Sequence, residues 1–305
     1  MEQSFIAYIE NSIKENWDLD ALTDYKGATL QYKDVARKIE KLHIIFEASG
    51  IKKGDKIAVC GRNSSHWGVT FLATLTYGAV IVPILHEFKA DNVHNIVNHS
   101  EAKLLFVGDQ VWENLNESAM PLLEGIMMMA DFYILVSRSE KLDYAREHLN
   151  EMFGKKYPKN FRKEHVSYHK DQPDELAVIN YTSGTTSYSK GVMLPYRSLW
   201  SNIAYCHESF HEPFVPADNR SKIRQQDNSH EQRHGFFVQV LPSPVADKKE
   251  FGFGVVDDIM YVVCLEFVKN RNDYSTISHC CQKANRPMGA VTTADGYFIT
   301  GLDAG

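Results

Sequence analysis

The chain has 305 residues, 44% of them hydrophobic and 24% charged. This composition excludes a disordered chain and leaves room for one large domain or two smaller ones. The formal net charge of -6 provides no overall basic field, so nucleic acid is excluded as a partner on electrostatic grounds and an anionic nucleotide needs a local site.

Five cysteines, Cys60, Cys206, Cys264, Cys280 and Cys281, form no Cys-x-x-Cys pair and are odd in number. Reduced thiols in a cytoplasmic setting fit this better than a disulfide framework or a zinc site. The first ten residues have no basic stretch followed by a long apolar run, and no apolar run in the chain approaches the ~20 residues of a membrane-spanning helix. The expectation is a soluble protein with no transmembrane segment, whose contact with a membrane would be peripheral.

In chain order, Phe5, Ile6, Ile9 and Ile13 recur at helical spacing and predict an amphipathic helix. Gly27 to Tyr32 reads as a hairpin segment opening a second helix, whose stripe is Val35, Ile39, Leu42, Ile45 and Phe46 and whose stop is Gly50. From Lys56 the pattern alternates. A strand at Lys56–Cys60 is followed by a helix from Ser64 to Tyr77, capped by Asn63 or Ser64, and by a strand at Ala79–Val82 ending at Pro83. Next come a helix over Asp91–Asn98, a strand at Lys103–Val107, a helix from Gln110, a strand at Phe132–Val136, a helix over Lys141–Phe153 and a strand at Leu176–Asn180. Such alternation predicts an α/β fold with a largely parallel sheet flanked by helices.

His66, His86, His94 and His99 surround these early units. His94 and His99 fall on or just after a polar helix and read as solvated surface, whereas His86 follows a strand end. The Met127-Met128-Met129 run reads as core filler.

After the strand at 176–180 comes Tyr181-Thr182-Ser183-Gly184-Thr185-Thr186-Ser187-Tyr188-Ser189-Lys190-Gly191-Val192. It combines hydroxyl donors, glycines that allow close backbone approach and one lysine, the ingredients of a polyphosphate cradle. Gly184 lies six positions before Lys190, which does not fit the Gly-x-x-x-x-Gly-Lys-Ser/Thr spacing of a Walker loop. The expected layout is a mobile loop between two buried strands, at the carboxyl end of a parallel strand where ligands of such sheets bind. A helix follows from Tyr196, with Arg197 or Ser198 near its cap.

The stretch resembles the phosphate-loop signature of the adenylate-forming (AMP-binding) superfamily, usually Tyr-Thr-Ser-Gly-Thr-Thr-Gly-x-Pro-Lys-Gly-Val. Ser187 stands where glycine is usual and Ser189 where proline is usual; neither change removes a phosphate donor. The segment from Thr74 to Pro83 and the helix from Tyr196 resemble elements of the same superfamily, and through about Asp218 the likeness is to its long-chain fatty acyl-CoA ligase branch. The resemblance implies ATP, Mg2+ and coenzyme A as cofactors or co-substrates, and a small-molecule carboxylate, a fatty acid, as the acid activated. It implies hydrogen bonding of the β- and γ-phosphates by Thr182, Ser183, Thr185 and Thr186, close approach at Gly184, and charge or loop anchoring by Lys190. It assigns no catalytic residue and no metal ligand.

The domain reading is an adenylation-type region over 1–218, a polar loop or linker over 219–235 and a divergent remainder over 236–305, with strands expected at Phe236–Leu241 and Ile259–Phe267. Asp295-Gly296-Tyr297-Phe298-Ile299-Thr300-Gly301-Leu302-Asp303 resembles the superfamily's ribose-binding segment with its last two residues in reversed order, which turns the Asp303 carboxylate to the opposite side of a strand. The sequence contains no Tyr-Gly-x-Thr-Glu segment and ends before a C-terminal domain with its lysine. Two readings follow: a fatty acid-CoA ligase by descent, or a truncated, noncatalytic remnant or interaction domain that keeps the fold without turnover. A P-loop hydrolase is a third and less favoured reading.

Overall fold

A computed structural model describes residues 4–24, 27–182, 190–210 and 238–240. Helix α1 (Phe5–Glu15) buries Phe5, Ile6, Ile9 and Ile13, as their spacing predicts, and is capped by Ser4, whose Oγ accepts the Ala7 N–H at 3.0 Å. Strands β1 (Asp20–Asp24) and β2 (Thr29–Gln31) form an antiparallel hairpin that feeds α2 (Tyr32–Ser49). Val35, Ile39, Leu42, Ile45 and Phe46 are the buried stripe of α2, and Gly50 closes it in the left-handed region at φ 88°.

The main body alternates strand and helix: β3 (Lys56–Cys60), α3 (Ser65–Tyr77), β4 (Val80–Ile84), α4 (Ala90–Ser100), β5 (Leu104–Val107) and α5 (Asp109–Trp112). It continues with β6 (Gly125–Met128), β7 (Ile134–Ser137), α6 (Glu140–Glu147), α7 (Leu149–Lys156), β8 (Leu176–Thr182), β9 (Lys190–Pro195) and α8 (Tyr196–Phe210). A short β10 (Val238–Val240) pairs parallel to β1 and makes a small three-stranded sheet in the order β10-β1-β2.

The large sheet has seven strands in the order β7-β6-β5-β3-β4-β8-β9. β3, β4, β5, β6 and β8 run parallel, and the edge strands β7 and β9 are antiparallel to their neighbours. This is the expected α/β architecture. Central strands covered on both faces read as continuous apolar runs, and Ile57, Ala58, Val59 and Cys60 of β3 are accordingly all fully buried. On one face Ala58, Val82, Leu105, Ile126, Ile179 and Tyr181 pack under Val93, Ile96 and Val97 of α4.

Several expectations need correction. β4 does not end at Pro83 but runs through it to Ile84, with Pro83 paired to Val59. The Met127 to Met129 run contains the end of an unforeseen strand, β6, with Met127 and Met129 buried. The helix expected over 141–153 is two helices broken at His148, whose ring stacks on Tyr144 and whose Nδ1 shares the Tyr144 carbonyl with the backbone N–H. β7 starts at Ile134 because Phe132 has a φ of 59°. β9 is not a buried strand but an edge, with Val192 and Met193 45% and 70% exposed. His94 is not solvated: it is buried and its Nε2 accepts the Asn116 N–H at 3.0 Å.

Candidate functional site

Because β3, β4, β5, β6 and β8 are parallel, their carboxyl ends form one ridge. Chain direction across the sheet reverses between β3, which leads to β4, and β5, which leads to β6 on the other side. Open α/β sheets commonly bind ligands at such a reversal. Here the place is filled. A Cβ added at Gly108 would lie 3.3 Å from the Gly61 Cα, and one added at Gly61 would lie 2.7 Å from the Met129 Cε. Backbone from β3 and β5 touches, and Met129 caps the contact.

The seam between β4 and β8 differs. Successive amides of a strand point to alternate neighbours, and the β3–β4 register runs unbroken from Lys56↔Val80 to Cys60↔Ile84 across Pro83. The amides of Val82 and Ile84 therefore serve β3, and position 83 is where β4 should next donate to β8. Proline has no N–H to give. β4 pairs with β8 at Ile81↔Val178, and the next donor position on β4 toward the hydroxyl-rich stretch is occupied by a residue without an N–H.

β8 and β9 form an antiparallel hairpin whose last pair is Thr182↔Lys190. Of the six residues expected to bind phosphate, Thr182 ends β8 and Lys190 opens β9, with its side chain exposed. Ser183, Gly184, Thr185 and Thr186 lie outside the described residues. The hairpin therefore opens at the ligand-binding end of the sheet, as the position of the strand predicts.

The base of the hairpin is tied down on one face. Tyr181 stands opposite Gly191, and a Cβ at Gly191 would lie 3.1 Å from both the Tyr181 Cζ and the Ile179 Cγ2, so a larger residue there would press on both side chains. The Tyr181 hydroxyl is hydrogen-bonded to the His99 Nδ1 at 2.6 Å, with the rings edge-on at 5.7 Å. Burial pushes the Tyr181 phenol up, which keeps it protonated. On the opposite face Asn180, cross-strand partner of Val192, is 4% exposed, and its Oδ1 is buried with no hydrogen-bond partner. The surface assignment of His99 holds for its exposure, but its contact with Tyr181 was not legible. Nothing in the sequence relates a position on α4 to one on β8.

Other reactive groups are committed elsewhere. Asp24, Ser65 and His66 cluster, yet the Ser65 N–H and hydroxyl both donate to the Asp24 carboxylate, at 2.6 and 2.7 Å, at the start of α3. His66 is held 3.1 Å from the Lys38 Nζ, and burial and then that lysine lower its pKa. Ser65 is buried and bonded, so this is no nucleophile triad. The Cys60 thiol, pushed up to about 12 by burial, donates to the Leu85 carbonyl at 3.8 Å and is inert. His86 lies half-buried just after β4. Among the described residues no three His, Cys, Asp or Glu side chains converge as metal ligands.

A mostly parallel sheet flanked by helices, with the Tyr181 to Val192 sequence leaving the carboxyl end of a parallel strand, fits the adenylate-forming class of proteins. The profile of the family described as AMP-binding enzyme matches residues 9–223, and the chain belongs to that family. Among its relatives, Long-chain-fatty-acid–CoA ligase 5 of Rattus norvegicus is 28% identical over 185 residues, 57% of this chain and 26% of that protein. The fatty acid–[acyl-carrier-protein] ligase ScoC of Streptomyces coeruleorubidus is 27% identical over 176 residues, 58% of this chain and 30% of its own. The chain thus spans between a quarter and a third of the length of the curated relatives it matches. The crystal structure of a long-chain-fatty-acid-CoA ligase (FadD1) from Archaeoglobus fulgidus superposes with a TM-score of 0.52 at 22% identity, covering 67% of this chain and 38% of that one. At that identity the likeness shows the fold alone. No described helix is long and apolar enough to cross a membrane.

Proposed function

We propose that the protein activates a carboxylic acid, a fatty acid, with ATP and passes the acyl group to coenzyme A. The acid's carboxylate oxygen bonds to the α-phosphorus of ATP as the bond to pyrophosphate breaks; the thiol sulfur then bonds to the acyl carbon as AMP leaves. Chemistry of this kind needs the triphosphate held in line and its charge offset. The observation that carries the reading is the hairpin itself. Its hydroxyl-rich Tyr181 to Val192 sequence hangs from the carboxyl end of a parallel strand within the matched family region.

In this reading Thr182, Ser183, Thr185 and Thr186 bind the β- and γ-phosphates, Gly184 lets them approach, and Lys190 offsets their charge. Magnesium accompanies ATP in this family and supplies charge neutralisation when bound.

The experiment is acid-dependent exchange of labelled pyrophosphate into ATP with a series of fatty acids. Exchange that requires the acid supports the reading, and a Thr185→Ala/Thr186→Ala variant should then lose ATP affinity. A second reading, a domain that keeps the fold without turnover, is favoured by the reversed Leu302-Asp303 order. It expects no exchange from folded protein. Acid-independent release of phosphate from ATP would contradict both.

A further inference from the structure

Residues 155–163, Lys155-Lys156-Tyr157-Pro158-Lys159-Asn160-Phe161-Arg162-Lys163, carry five basic side chains and no acidic one in a chain of net charge -6. All five are exposed. Two are used for anchoring: Lys155 pairs with Glu151 at 2.6 Å and Lys156 with the buried Glu40 at 2.7 Å. Among the described residues no ion pair engages Lys159, Arg162 or Lys163.

The segment runs from the last turn of α7 to a 3-10 turn at Lys163–His165, and the stretch between them is held from below. Phe161 is 8% exposed, and its ring lies 4.9 Å from Tyr157, 5.8 Å from Phe153 and 5.9 Å from Trp17. Aromatic rings point inward and basic heads outward. On the neighbouring α2, Lys41 lies 5.5 Å over the Phe153 ring and extends the positive face.

We propose that this segment is a docking surface for anionic lipid headgroups. An outward array of cations on an inward aromatic base suits a flat charged surface. Single-stranded nucleic acid would instead need its rings exposed for base stacking. Three unpaired basic side chains near an anionic bilayer raise partitioning on the order of a hundredfold. The remaining surface, net acidic, is repelled by the same bilayer, so the segment fixes which face approaches. The proposal stands on charge and exposure alone and does not depend on the chemistry at the β8–β9 hairpin.

The test is co-sedimentation of the full chain with vesicles of phosphatidylcholine alone and with vesicles containing about a third phosphatidylserine. Binding should need the anionic lipid and fade as salt rises from about 0.05 M to 0.5 M. Lys159→Glu/Arg162→Glu/Lys163→Glu should lose at least about tenfold. A control with the same change in net charge, Lys52→Glu/Lys141→Glu/Lys170→Glu, should lose far less. If the triple variant does not fold, Arg162→Gln and the salt series carry the test. Equal binding to neutral vesicles, equal loss in the control, or tighter retention on duplex DNA than on anionic vesicles would overturn the proposal.

Discussion

Thr182 and Lys190 face each other as the last cross-strand pair of the β8–β9 hairpin, although the whole 183–189 segment separates them in the chain. The register therefore sets residue 182 opposite the only lysine of the Tyr181 to Val192 stretch. Lys190 is exposed at the end of an edge strand and supports little of the fold. Lys190→Ala should leave thermal stability within ~0.5 kcal/mol, as at other unconstrained surface sites. If the lysine offsets phosphate charge, ATP affinity should fall by about 1.5–3 kcal/mol, the range for a hydrogen bond to a charged group. A thermal melt checks the first expectation and calorimetric titration with ATP the second, and an unchanged Kd would remove Lys190 from the site.

Gly191 is a second position where the hairpin tolerates little. A Cβ there would meet the Tyr181 and Ile179 side chains at 3.1 Å, tighter than ordinary contact. Tyr181 cannot simply swing away, because its hydroxyl is held by His99. Gly191→Val should cost about 1–3 kcal/mol, the range for overpacking. Combined with Tyr181→Phe, which frees the ring from His99, the cost should be less than the sum of the two single losses. Urea denaturation of the four members of that cycle decides; strict additivity would show that His99 does not restrain the ring.

The parallel sheet was legible because its central strands are apolar on both faces and β3, β4 and β5 are each followed by a helix. Ser64 and Gly50 mark helix ends in the structure as they do in the sequence. β6 escaped because Gly125-Ile126-Met127-Met128 is short and methionine carries no strand preference. The hairpin's position was legible, since a strand, a glycine-bearing hydroxyl run and a second apolar stretch fix its order. The closed contact at Gly61 and Gly108 and the placing of Pro83 where β4 meets β8 were not. Each depends on which strands become neighbours, and β5 lies beside β3 only after the chain has passed through β4 and α4.

At the far end of α3, Gly78 adopts a φ of +86°, and a Cβ there would lie 2.9 Å from the His169 ring. That ring is fixed by Glu175, whose carboxylate oxygens are both 2.8 Å from its Nε2, and the His169 N–H donates to the Thr76 carbonyl at 2.9 Å. Gly78→Ala meets backbone strain and a clash together. A loss of about 2–4 kcal/mol is expected from a left-handed position plus overpacking. Adding His169→Ala should recover the clash part and leave the backbone part, as chemical denaturation of both variants would show.

His43 is enclosed by Tyr77 and Tyr168, with ring centroids 5.4 and 5.8 Å away, and its Nε2 lies 3.0 Å from the Ala73 carbonyl. Burial is the main reason its pKa falls to about 4; the Ala73 carbonyl opposes the shift and Lys156 adds to it. The folded protein therefore keeps this ring neutral while the unfolded chain protonates it near its ordinary pKa of about 6.5. Between those values the unfolded state binds more protons, so this contribution is fully present above about pH 6.5 and is lost as pH falls toward about 4. The loss should approach 3 kcal/mol at the acid end, at about 1.4 kcal/mol per pKa unit. A His43→Gln variant, which has no proton to gain, should show a shallower fall in unfolding free energy over that window. Parallel curves for the two proteins would mean that His43 is charged in the fold.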